Sequence, residues 1–371
     1  MKYIIVSNMF AKARARASLS FLRYNPFFLT NKVYTVVIAF EPLLSIAPMI
    51  DWTYTHFRVW MRFLAPNALL YTEMHTAGAI KNNPKRTLSF NSIEHPLAIQ
   101  LGGSDPESLA QSAVCAEQEG YNEVNLNLGC PSDKVQAGRF GACLMNEPKQ
   151  VAACIQALKR AVRIPVTTKT RIGIDHQDSY EFFRDFVHQL VDAGSDKLIV
   201  HARKAWLHGL NPKQNRTIPP VNYDYVYRIK EELPHIPVVI NGNISTIEEI
   251  NTHLHSVDSV MLGRLACDNP YQIAVIHHHL YPDSALLKRS QLLLLYIDYL
   301  RSEYERGVAL SLLIKPIFNL AHGMPGASQW KKLLMKFLQS KDCALLDELI
   351  LCLFELERGA VTPGDDCFFE V

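Results

Sequence analysis

No two of the chain's cysteines form a CxxC, and no cysteine or histidine cluster has metal-ligand spacing, although there are eight cysteines at positions 115, 130, 143, 154, 267, 343, 352 and 367. That argues against a zinc or iron–sulfur centre. In a large chain without a secretory pattern the cysteines read as reduced thiols. No apolar run is long enough to span a bilayer: residues 33–50 come closest and are interrupted by Glu41. A net charge of only +2 neither demands nor excludes a nucleic-acid partner. There is no acid at all before Glu41, while Lys2, Lys12, Arg14, Arg16, Arg23 and Lys32 precede it. Such a segment resembles an organellar transit peptide, and an extension without structural importance is the competing reading.

What is present is a rhythm. From residue 43 onward, eight short apolar runs recur, each followed by a stretch of helical periodicity: 43–49, 68–74, 96–102, 123–129, 165–171, 197–203, 237–243 and 259–264. Eight units in series predict an α/β fold, a closed (β/α)8 TIM barrel with outer helices. A doubly wound open sheet is the alternative, weakened because no GxGxxG follows the first run. After about residue 270 only helices are predicted, at 285–306, 310–322, 327–340 and 343–358, which appends an all-helical domain. The expected organisation is an N-terminal extension (1–41), a barrel (42–275), a helical domain (276–358) and a tail (359–371). Between residues 285 and 341 there are nine Lys or Arg against three acids, so the basic character is local. The third helix, with Trp330, Lys331, Lys332 and Lys336, reads as a solvated face or as a grip on a polynucleotide backbone.

The runs end in polar residues: Glu73, Gln100, Asn127, Lys169 with Arg171, His201 with Arg203, Asn241 with Asn243, and Arg264. A barrel gathers the carboxyl ends of its strands at one mouth, so these scattered residues would converge. The last two units carry an anion-site pattern: Asn241-Gly242-Asn243 leads into a capping box expected at Ser245 and Glu248, and Gly263-Arg264 follows the eighth run. Loops after strands seven and eight commonly form a phosphate cup in such barrels. Lys169 could then balance charge on a cofactor ring, and Gln100 could hydrogen-bond its edge.

The segment 123–145, EVNLNLGCPSDKVQAGRFGACLM, is the most telling. Asn125, Asn127 and Gly129 share one strand face. Cys130 follows where Pro131 ends the strand, which presents a thiol at the barrel mouth. Gly138 and Gly141 then imply a close backbone approach. A buried structural cysteine is the competing reading.

These residues resemble the tRNA-dihydrouridine synthases, in particular the A-type subgroup acting on D-loop uridines 20 and 20a. The likeness runs from about residue 43 to 338 and rests on SIAPMIDWT, YTEM, NLNLGCPS, VQAGRFGACLM, KTRIGID, HARKAWLHGLNPKQNR, INGNI and LGRLACDNPY. Dihydroorotate dehydrogenases share the asparagine and cysteine after the fourth strand but lack the long basic loop and helical tail. The resemblance implies FMN against Ala47, Pro48 and Met49, held by Gln100, Lys169 and His201, with its phosphate at Asn241, Gly242, Asn243, Gly263 and Arg264. It implies Cys130 as proton donor, Asn127 orienting substrate, and tRNA contacts at Arg171, Arg203, Lys213, Arg216, Ser328 and Lys331. NADPH (or NADH) would reduce the flavin, which passes hydride to C6 of a uracil while the thiol protonates C5. Thiols of ordinary acidity, with a pKa of about 8.5, are mostly protonated near neutrality, as that step requires.

The sequence departs from the family where PGAR-x-WR is usual and this chain reads PGASQWK, with Ser328 and Lys331. Two other functions share the features: a flavin barrel reducing a free pyrimidine or enone, and a tRNA-binding or folding protein. The expected partner is tRNA, with no membrane association and a cytoplasmic location. The oligomeric state is left open.

Overall fold

The computed structural model describes residues 42–359. The basic segment before Pro42 and the tail beyond Gly359 lie outside the described residues. Eight parallel strands, β1 (Leu44–Ile46), β2 (Leu69–Thr76), β3 (Leu97–Gly102), β4 (Glu123–Leu128), β5 (Val166–Arg171), β6 (Leu198–His201), β7 (Val238–Asn241) and β8 (Ser259–Leu262), pair in chain order and close into a barrel. Closure is made by β1 against β8, with Ser45 opposite Met261. The helices of eight residues or more are α1 (Thr55–Leu64), α2 (Pro106–Glu119), α3 (Pro148–Ala161), α4 (Tyr180–Asp192), α5 (Asp224–Glu232), α6 (Ile247–Leu254), α7 (Pro270–Leu280), α8 (Arg289–Glu305), α9 (Ala327–Ser340) and α10 (Leu345–Gly359).

Strand periodicity explains why the runs look continuously apolar. On β4, Val124, Leu126 and Leu128 face outward and are buried under helices, as are Leu198 and Val200 on β6 and Val238 and Ile240 on β7. The opposite parity fills the interior. Its lower layer contains Leu69, Tyr71, Ala98, Ile199, Val239 and Met261. Above and around it the inward positions turn polar, with Gln100, Asn125, Asn127, Thr167, Lys169, His201 and Asn241. One parity thus supplies both barrel core and site.

Most strands are shorter than their apolar runs, and the last residues of five runs, at 47–49, 129, 202–203, 242–243 and 263–264, lie beyond their strands at the mouth. The exception is β2, which extends to Thr76 past a register shift between Tyr71 and Met74. The helix expected at 310–322 stops at Ile314 and continues as a 3-10 turn over Lys315–Ile317. Pro316 lacks the N–H that a longer α-helix needs. Trp330 is buried and donates from Nε1 to the carbonyls of Ile317 and Phe318 at 3.2 Å each. It therefore belongs to the helical core, while Lys331, Lys332 and Lys336 of α9 face solvent. The helices dock on the barrel through α1, where Trp60 meets Tyr296 with ring centroids 5.2 Å apart. They also reach the mouth: Lys315 Nζ donates to Asp51 O at 2.7 Å and lies 4.5 Å from the Trp52 ring.

Candidate active site

A column of hydrogen bonds rises from the barrel floor to the mouth. At its base Glu123 pairs with Lys197 at 2.7 Å and accepts from Tyr71 Oη at 2.7 Å and Thr167 Oγ1 at 2.6 Å. Thr167 Oγ1 accepts from Asn125 Nδ2 at 2.9 Å, and Asn125 Oδ1 from Gln100 Nε2 at 2.8 Å. Gln100 Oε1 accepts from Asn127 Nδ2 at 2.8 Å, and Asn127 Oδ1 accepts the backbone N–H groups of Gly129 and Cys130 at 3.1 and 3.0 Å. Gln100 is 1% exposed and Asn127 9%, so both amides are fixed by these bonds. Each uses one amide hydrogen within the column and has a second to offer a ligand.

Cys130 sits above this column on the loop after β4, half-buried, its Sγ 3.5 Å from Ser132 Oγ. Arg171 Nε donates to Gly129 O at 2.9 Å, and Ala142 N donates to Cys130 O at 2.9 Å. The close approach implied by the glycines is this one. Gly141 has φ +77°, and a Cβ there would lie 2.5 Å from Cys130 O. The thiol loop is thus clamped from β5 and from its own return segment.

The adjoining arc of the mouth, from β5 to β8, is cationic and glycine-lined. Lys169 Nζ donates to Asn241 Oδ1 at 3.0 Å, and Asn241 Nδ2 to Met261 O at 2.8 Å. Burial, reinforced by Arg171, pushes the Lys169 ammonium down to about 7. Burial and four neighbouring cations, Arg171, Lys169, Arg203 and Arg264, hold His201 well below the usual imidazole range, so it is neutral near pH 7. Gly242 has φ +126°, and a Cβ there would lie 2.9 Å from His201 Cδ2. Asn243 follows at φ +56°. Gly263 leaves an open slot, where a Cβ would meet Ala47 Cβ at 3.7 Å and Met49 Sδ at 3.9 Å. Pro48 stands between these two wall residues, and Arg264 is exposed at the rim. The capping box on α6 lies one residue later than expected: Thr246 Oγ1 accepts from Glu249 N at 3.1 Å, and Glu249 returns a bond to Thr246 N at 3.0 Å. Ser245 also donates its backbone N–H to Glu249 at 2.7 Å, so Glu248 is free of the cap. A turn that only glycine fits and a buried lysine on a neutral-histidine wall suit a phosphate-bearing ligand.

The expected substrate residues divide by burial. Arg171 is 4% exposed and Arg203 6%. Arg171 also donates to Lys204 O and Asn215 O, at 3.1 and 3.0 Å, and Arg203 donates to Pro219 O. Both brace mouth loops in the free protein, and Arg203 Nε is buried without a hydrogen-bond partner. Lys213 and Arg216 are exposed on the loop after β6, with Arg264 Nη2 donating to Arg216 O at 3.3 Å. Ser328 and Lys331 are exposed on α9, Lys331 Nζ lying 5.3 Å from the Phe318 ring. Sequence reasoning missed the lower column, Glu123, Lys197 and Thr167. Their signal was available, since they share the inward parity of Asn127, His201 and Lys169.

The dihydrouridine synthase family profile matches residues 45–354. The chain belongs to the dihydrouridine synthase family. Among its relatives within that family, the tRNA-dihydrouridine(20/20a) synthase of Shewanella oneidensis is 49% identical over 78% of this chain and 87% of its own length. Those of Vibrio parahaemolyticus and Xanthomonas campestris are 48% and 49% identical over 78% of this chain, covering 89% and 87% of theirs. A solved 2-naphthoyl-CoA reductase complex is similar at 10% identity with a TM-score of 0.49, covering 64% of this chain and 50% of that one. Among the described residues of this dihydrouridine synthase, no helix is long and apolar enough to cross a membrane.

Proposed function

We propose that this chain reduces uridine to 5,6-dihydrouridine in the D-loop of tRNA, at positions 20 and 20a, with FMN as bound cofactor and NADPH (or NADH) as reductant. The observation that carries the reading is the clamped thiol of Cys130 facing a cationic cup across one barrel mouth. The isoalloxazine would rest on Ala47, Pro48 and Met49 within reach of Gln100, Lys169 and His201. Its phosphate would take the turn Asn241, Gly242, Asn243 with Gly263 and Arg264. Bound there, the reduced flavin supplies a hydride to C6 of the uracil.

The remaining steps belong to the chain's own residues. Cys130 holds the proton delivered to C5, and the clamp on Gly129 and Cys130 O keeps Sγ at the mouth. The spare amide hydrogen of Asn127 orients the base by hydrogen bonding. A stacked uracil cannot reach a recessed site, so the base must be flipped out and the surrounding RNA held. Lys213 and Arg216 supply that hold on one side of the mouth, Lys331 and Ser328 of the helical portion (276–358) on another. Arg171 and Arg203 fix the loops that present them. All these groups lie on one chain, so a monomer suffices, and the cytoplasm is the expected site of action.

The test is direct. Purified protein should be yellow, with a flavin band near about 450 nm, and should form dihydrouridine in tRNA far faster than in free uridine nucleotides. Primer-extension mapping of tRNA from cells with and without the protein should show loss at positions 20 and 20a. Equal activity on mononucleotides would point to a free-pyrimidine reductase. Retention of the cellular role by Cys130→Ala would point to an RNA-folding protein.

A further inference from the structure

The loop after β2 carries a feature that neither the cofactor cup nor the thiol uses. Residues 77–93, AGAIKNNPKRTLSFNSI, contain Lys81, Lys85 and Arg86 and no acid. They fold into two short helices, Ala77–Asn82 and Pro84–Thr87, and every residue from 81 to 86 is exposed. Thr76 and Asn83 cap the two turns, accepting from Ala79 N at 3.2 Å and Arg86 N at 3.3 Å, which fixes the backbone that carries the cations. Among the described residues none of the three cations has an ion-pair partner. The next acid, Glu94, is fully buried and committed to Arg58 at 2.5 Å. The patch is therefore uncompensated.

Its place in the ring gives it meaning. In a closed barrel of eight strands in chain order, β2 and β6 lie on opposite sides. Lys213 and Arg216 follow β6, and Lys81, Lys85 and Arg86 follow β2, so two exposed basic loops face each other across the mouth that holds Cys130. A single anionic polymer spanning the mouth meets both, whereas a small phosphate ligand meets neither pair at once. We propose that the β2 loop is a second phosphate-backbone contact surface for the substrate RNA, and that the RNA lies across the mouth along the β2–β6 direction. This rests on the proposed tRNA substrate.

The experiment is a salt titration of binding between FMN-loaded protein and unmodified tRNA. Replacing Lys81, Lys85 and Arg86 together by glutamine should weaken binding and flatten the dependence of log K on log salt by about two to three units, one counterion per lost phosphate contact. The charge-preserving set Lys81→Arg, Lys85→Arg and Arg86→Lys should retain wild-type affinity. A control removing the exposed Arg160 and Arg163 at the far end of the barrel should leave the slope unchanged. FMN content reports that each variant is folded. If wild type binds tRNA and the triple glutamine variant keeps its slope, the second surface is refuted while the tRNA reading stands. If wild type neither binds nor modifies tRNA, both fall.

Discussion

Asn127 Oδ1 receives the backbone N–H of Cys130 at 3.0 Å, so the side chain beneath the thiol sets where the thiol stands. The same asparagine is tied to Gln100, so the proposed cofactor contact and the proposed acid share one support. Their roles separate by substitution. Cys130→Ala should leave FMN binding and its reduction by NADPH nearly intact. Reoxidation by tRNA should slow by about 10² to 10⁴-fold, the usual share of general acid catalysis, measured by stopped-flow. Wild-type reoxidation would make the cysteine structural.

Thr167→Val keeps the volume but removes the hydroxyl that joins Asn125 to Glu123. A buried amide then lacks its acceptor, at a cost of about 1–3 kcal/mol. Urea unfolding should show that loss. A midpoint unchanged from wild type would mean that water replaces the hydroxyl.

Gly242→Ala places a methyl against His201 at a φ of +126°, a backbone state that costs a non-glycine residue about 1–3 kcal/mol. FMN affinity should fall about tenfold or more by fluorescence titration. Gly78→Ala, where the added methyl meets nothing within 4 Å, should bind FMN as wild type does.

If Lys169 meets the cofactor as proposed, it should link cofactor binding to pH. Its folded pKa of about 7 lies below the ordinary lysine value of 10.5, so between these values the unfolded chain binds the extra proton. Stability of the FMN-free protein should therefore rise with pH from about 7 upward and level off near the unfolded value. A bound dianion restores the ammonium, so FMN binding just above neutrality should take up a proton. Calorimetry in two buffers of different ionisation enthalpy measures this uptake, which Lys169→Met should abolish. Identical enthalpies for wild type in both buffers would contradict it.

Ser328 is exposed on α9 where the family pattern has arginine. Ser328→Arg should tighten tRNA binding and steepen its salt dependence by about one unit. An unchanged slope would place this position outside the RNA footprint.

The barrel was legible because eight apolar runs of strand length can be buried on both faces in few ways other than a closed ring of parallel strands, and because seven of the eight ended in polar residues that a mouth would collect. Gln100, Lys169, His201 and Asn241 were read this way, and the structure brings them together. Less legible were residues whose chemistry looks the same at a surface and in a core. Glu123 and Lys197 at strand starts drew no site reading, yet they form the buried floor pair. Arg171 and Arg203 were expected at the tRNA, and the structure shows both buried and donating to loop carbonyls. The cap on α6 moved by one residue because adjacent Ser-Thr and Glu-Glu pairs offer two equivalent boxes in the sequence, and only the backbone chooses.

The hydrogen-bonded column has a direction. From the thiol loop downward every step donates toward the Glu123 carboxylate, which can only accept. A carboxylate that only accepts at the floor and two backbone N–H groups that only donate at the top together decide which way three consecutive amides face. Asn and Gln carry no such preference of their own, since either end fits the same space. With Glu123 replaced by glutamine the floor no longer imposes that direction, and the two backbone N–H groups above Asn127 alone keep an amide hydrogen of Gln100 turned to the mouth. The pattern offered to the ring proposed at the mouth is therefore written in part at the opposite end of the barrel.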